Sequence, residues 1–184
     1  MNDLIYNQRD IPKEQWRYGL RTSAATGCGW IATYNALRLM GYYAQPEQLI
    51  RMYERMLPIV HGNAGTSIPA PALAFRNWGF PVKLEVKRDR FDQAARESDV
   101  CIIFYYWRSK WKFGAHFVTL QAGNEGFTGY NTYRNSKGPD DWGKSIPEFL
   151  KKRHYFAPVL ICIKDRRTNP FPRGEGGPPE RSED

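Results

Sequence analysis

The sequence predicts an α+β fold, with helices in the first half of the chain and an antiparallel sheet in the second. Three observations carry this expectation. Apolar residues recur at helical spacing between positions 28 and 78. From Val82 onward they either alternate with charged residues or run together in β-favouring stretches. The links between successive strands are short, which favours antiparallel pairing and a layer of helices packed on the sheet. One domain is expected over residues 1–165, followed by a disordered tail of Pro, Gly and charge over 166–184.

The elements follow in order. Residues 1–26 lack a sustained period and read as an extended arm. The spacing of Ile31, Tyr34, Leu37 and Met40 predicts a helix over 28–40, capped by Thr26 and ended by Gly41. Pro46 suits a helix start, and Leu49, Ile50, Tyr53 and Met56 continue a face, so a second helix is expected over 46–56. A Gly-containing loop over 57–67 leads to a third helix over 69–78. Val82, Leu84 and Val86 alternate with charges and read as a half-exposed strand, before a short helix over 90–97. Val100–Trp107 is a buried strand. His116–Ala122 and Phe127–Thr132 form the next two strands, joined by the turn Gly123-Asn-Glu-Gly126. Ser145-Ile-Pro-Glu148 has the pattern of a capping box for a helix over 145–152, and Phe156–Ile163 is the last strand.

Composition narrows the function. Aromatic residues make up 15% of the 184 positions, which excludes a wholly disordered chain. No apolar stretch nears the about 18 residues of a membrane span, and no signal-peptide pattern opens the chain, so no membrane insertion and a cytoplasmic setting are expected. The 3 cysteines form no disulfide framework and no zinc spacing, so neither a metal site nor a cofactor is expected. Net charge is +8, but the basic residues are scattered, and specific nucleic-acid binding is not expected.

Three residues carry chemistry. Cys28, between Gly27 and Gly29, stands at the first turn of a helix, where free amides and the helix dipole lower a thiol pKa and favour the nucleophilic thiolate. The two glycines leave the backbone uncrowded for an approaching carbonyl. Read alone, Cys28 is equally a small buried residue. His116 opens a strand after Gly114 and Ala115, which leave room beside its ring. Read alone, it is a strand-end histidine bonded to backbone. Asn131 ends the neighbouring strand at the same sheet edge, where its amide can orient the imidazole. Cys101 and Cys162 read as core, and His61 and His154 lack partners.

This constellation resembles the papain-like cysteine peptidases, and most of all their bacterial C39-like branch. The matching pieces are Tyr6-Asn-Gln-Arg-Asp10, Gly27-Cys-Gly29 before a helix, Gly65-Thr-Ser67 before another, Gly114-Ala-His-Phe-Val118, and Gly129-Tyr-Asn131. They span roughly residues 4–164 in the family's order of Cys, His, then Asn or Asp. Two positions depart from the branch: Asn131-Thr132 stands where Asp-Pro is frequent, and Trp30 where Pro is frequent. The resemblance implies a papain-like fold with the nucleophile helix packed on the sheet, and a peptide or protein substrate. It also implies a fourth residue, Gln8, whose amide would share an oxyanion hole with the Cys28 amide; Gln15 is the second choice. Two alternatives stay open: a thiol acyltransferase or amidase on the same fold, and a non-catalytic binding module with a basic, aromatic surface.

Overall fold

The run Val100–Tyr105 is apolar at every position because both sides of its strand are covered. In the computed structural model, which describes residues 4–56 and 65–165, Ile102 and Phe104 enter one core and Cys101, Ile103 and Tyr105 the other. The strand belongs to a six-stranded sheet of β3 (Val82–Glu85), β4 (Val100–Ser109), β5 (Lys112–Ala122), β6 (Phe127–Tyr130), β7 (Asp140–Asp141) and β8 (Phe156–Ile163). Their order is β3-β8-β4-β5-β6-β7 and every pairing is antiparallel; the short links account for β4–β5 and β5–β6, whereas β8, from the far end of the domain, inserts between β3 and β4.

The helices α2 (Cys28–Leu39), α3 (Pro46–Arg55) and α4 (Ala70–Asn77) build the first core, in which Trp30, Leu37, Tyr53 and Phe75 meet Phe104, Phe117 and Ile161 of the sheet. The α+β class holds, but the sheet is not covered by these helices alone. Two further helices, α5 (Phe91–Arg96) and α6 (Ile146–Lys152), close its other face around Phe91, Val118, Leu120 and Leu150. Thr119 Oγ1 donates to the Ala32 carbonyl at 2.8 Å, a buried hydrogen bond that ties the centre of α2 to β5.

Several local expectations change. The arm before Cys28 is structured: a 3₁₀ turn over Gln8–Asp10, a small hairpin of β1 (Arg17–Tyr18) and β2 (Arg21–Thr22), and a one-turn helix, α1 (Ser23–Thr26). Asn35, fully buried on α2, holds the arm by accepting from the Ile5 amide at 2.9 Å and donating to its carbonyl at 2.8 Å. Thr26 does not cap α2; it ends α1, and Gly27 holds the cap position. Gly41, at φ 80°, does end the helix: its amide reaches the Arg38 carbonyl and the Tyr42 amide reaches Leu37, which is a Schellman stop.

The strand bearing His116 begins at Lys112, so His116 does not open it. The β4–β5 hairpin continues to Ser109↔Lys112, and the Trp107 ring covers Gly114, its partner across the pair. At α6 the capping box is not formed. The Ile146 amide is met at 2.8 Å by Asp92 Oδ1 from α5, a tertiary acceptor that replaces the Ser145 side chain. The expected tail over 166–184 and most of the loop expected over 57–67 lie outside the described residues, and His61 with them.

Candidate active site

Cys28 sits where α1 turns into α2. The glycines on either side are needed by packing rather than by an incoming carbonyl. A Cβ on Gly27 would lie 2.6 Å from both the Ser23 carbonyl oxygen and Trp30 Nε1, and one on Gly29 would enter the Thr66 side chain. Trp30 belongs to that packing: it is fully buried, donates to Ser23 Oγ at 3.1 Å, and meets Trp16 and Tyr34 edge-on. The second glycine is therefore matched to Gly65-Thr-Ser67, whose Thr66 also donates to the Tyr18 hydroxyl at 3.2 Å.

The β5–β6 register pairs Thr119 with Tyr130, so Asn131 emerges beside the middle of β5, close to His116. Asn131 has φ 63°, the left-handed conformation that Asn tolerates better than most residues. The turn directs its carbonyl at the imidazole: Nε2 of His116 donates to the Asn131 backbone oxygen at 2.7 Å. A carbonyl only accepts, so this contact places the neutral ring's hydrogen on Nε2 and leaves Nδ1 as the basic atom.

The Asn131 side chain therefore does not perform the expected orienting role; the backbone of the same residue does. The amide group is committed elsewhere. Its Oδ1 accepts from the Gln8 amide at 2.9 Å, and its Nδ2 donates to Gln8 Oε1 at 3.2 Å. Gln8 Nε2 in turn donates to the Ala24 carbonyl at 3.1 Å, on the one-turn helix that leads to Cys28. The 3₁₀ turn carrying Gln8 is closed by Asn7, which accepts from the Arg9 amide at 3.0 Å and donates to the Arg134 carbonyl at 3.0 Å. One network thus joins the N-terminal arm, the segment before α2 and the turn after β6, across 123 residues of sequence.

Cys28, His116, Asn131 and Gln8 all line one cleft of about 500 Å³. Gln15 is exposed, outside this cleft, and takes no part in it. His154 is exposed on the loop before β8, while Cys101 and Cys162 face each other as buried cross-strand partners. Residues the sequence reading passed over also contribute. Tyr105 pairs with His116 in register, sets its ring edge-on to the imidazole at 6.1 Å, and stacks on Tyr155 at 4.2 Å. Trp107 and Arg134 form part of the wall.

The electrostatics differ from the expectation of a depressed thiol pKa. Burial pushes the Cys28 thiol up to about 11, and the backbone amides of Phe117, Cys28 and Gly29 offset only part of this. Burial also moves His116 below its usual value. The Asn131 carbonyl opposes that shift and the Arg134 charge adds to it. The open cleft therefore pairs a neutral thiol with a neutral imidazole. Desolvation outweighs the helix-terminus effect although Cys28 is only half-buried, because its thiol packs against the first core at the base of the cleft.

Comparison with known protein families and with curated proteins finds no match to this chain. Among the described residues there is no helix long and apolar enough to cross a membrane.

Proposed function

We propose that this protein is a papain-like cysteine peptidase whose nucleophile is Cys28. The observation that carries the reading is the orientation of His116. Its Nε2 is occupied by the Asn131 carbonyl, which leaves Nδ1 as the base in the cleft that also holds the Cys28 thiol. In this reading the thiol proton passes to Nδ1 as the sulfur attacks the substrate carbonyl, so no resting ion pair is required. The anionic tetrahedral oxygen accepts from the Cys28 amide and from the second Nε2 hydrogen of Gln8, the first being held by Ala24. Collapse breaks the C–N bond, and the leaving amine takes the proton from Nδ1. Water, deprotonated by the same nitrogen, then hydrolyses the thioester. Asn131 acts as a positioning residue through its carbonyl, and its side chain sets Gln8.

The test is turnover of an unfolded protein substrate by the native chain and by Cys28→Ala, with circular dichroism to confirm that both fold. Cleavage by the native chain and none by Cys28→Ala is expected; equal cleavage by both overturns the mechanism. One observation favours a second reading, a non-catalytic binding module: the thiol is pushed up to about 11 rather than down. That reading requires Cys28 to remain unreactive when peptide fills the cleft.

A further inference from the structure

The mouth of the cleft carries one sign of charge. Arg9, Arg108, Lys112 and Arg134 line it, and no Asp or Glu does. They come from three separated segments: the 3₁₀ turn, the β4–β5 hairpin and the loop after β6. None of the four forms an ion pair among the described residues, where Lys83–Glu85 is a salt bridge on another strand. Three of the four are placed by the architecture of the site. The Arg134 backbone is anchored by Asn7, and its guanidinium lies over the Trp107 ring at 5.6 Å. Trp107 in turn rests on Gly114, where a Cβ would come within 2.5 Å of the ring. Arg108 follows Trp107 on the same strand, and Lys112 starts its partner strand.

Clustering unpaired cations raises their mutual repulsion, which a bound anion relieves. Guanidinium groups also offer the fork that matches a carboxylate. We propose that the cleft selects acidic peptides, with Asp or Glu side chains close to the bond presented to Cys28. Arg108, Lys112 and Arg134 supply the preference. As a substrate class this rests on the peptidase reading, but the recognition itself does not require turnover. Burial is the main reason that His116 is shifted down, and the Arg134 charge adds to it; a carboxylate beside Arg134 would offset that added part and make Nδ1 a somewhat stronger base.

Two measurements test this. The first is fluorescence anisotropy of a labelled peptide of alternating Glu and Gly against its Gln and Lys counterparts, on Cys28→Ala protein. The Glu peptide should bind about tenfold more tightly than the Gln peptide in about 50 mM salt, since each of three near-surface attractions is worth a factor of about two. The advantage should shrink at about 300 mM salt. It should fall to about twofold or less when Arg108→Gln, Lys112→Gln and Arg134→Gln are combined. The control combines Arg51→Gln, Arg55→Gln and Arg88→Gln, which removes the same charge outside the cleft. Equal affinity for Glu and Gln peptides, or an equal loss in the control, overturns the proposal. The second measurement maps cleavage sites of the native chain in a mixed peptide library. Sites flanked by Asp and Glu support the proposal, and Cys28-dependent cleavage indifferent to charge overturns it. A Glu preference in binding without any Cys28-dependent cleavage supports acidic recognition and overturns the peptidase reading instead.

Discussion

Replacing Asn131 by Gly separates its carbonyl from its side chain. The carbonyl that holds His116 Nε2 remains, and Gly adopts φ 63° without strain. The side chain's two contacts with Gln8, at 2.9 and 3.2 Å, are lost. A polar group left without its partner costs about 1–3 kcal/mol when buried. Gln8 is only partly buried and lines the cleft, so water reaches it, and the loss should total about 2 kcal/mol. Asn131→Ala should lose about 1 kcal/mol more, because its Cβ resists the left-handed turn. Urea unfolding of the three proteins measures these differences. Turnover should fall by no more than about tenfold in Asn131→Gly, from a loosened Gln8. A folded Asn131→Gly protein as inactive as His116→Ala would refute the reasoning, because the side chain would then be the group that orients the imidazole.

Other consequences are open to measurement. His116→Ala should lower turnover by about 10²–10⁴-fold while native-like circular dichroism is kept, since it removes the base. Unchanged turnover would exclude Nδ1 as the proton acceptor. Alkylation of Cys28 in the ligand-free protein should climb through alkaline pH toward about 11 rather than level off in mild acid; a plateau below pH 7 would contradict the neutral pair. The same titrations govern stability. The thiol's folded pKa lies above its ordinary 9.0, so its contribution is full below pH 9 and is lost as pH rises through about 11. Cys28→Ser, which has no such titration, should lose less stability across that range. His116 is shifted down, so its contribution is present above pH 6.5 and is lost as pH falls through its folded value, a loss that His116→Gln should not show. Finally, Gly27→Ala places a Cβ 2.6 Å from backbone oxygen at Ser23 and should destabilise the fold by about 1–3 kcal/mol, read as a lowered urea midpoint. An unchanged midpoint would mean that the turn before Cys28 can open at little cost.

Much of the secondary structure was legible because it depends on short-range periodicity. The expected helix over 28–40 and the observed Cys28–Leu39 differ by one residue, and the expected strand Phe156–Ile163 matches the observed one. These segments place apolar residues on faces that any fold of this class must bury. Errors fell where a partner distant in sequence sets the local structure. Asp92 replaced the Ser145 cap, and Asn35 ordered an arm that has no period of its own.

The site divides along the same line. Local sequence placed a thiol at a helix start, a histidine on a strand and an asparagine fifteen positions later, and the resemblance implied Gln8. Which atom of Asn131 meets the imidazole depends on the left-handed turn after β6 and on the competing claim of Gln8, 123 residues away. The direction of the Cys28 shift, and the gathering of Arg9, Arg108, Lys112 and Arg134 around one opening, likewise depend on packing. Residue type and spacing are properties of the chain, so they can be read from it directly. Desolvation and charge proximity are properties of how distant segments come together, and they arise only in the folded protein.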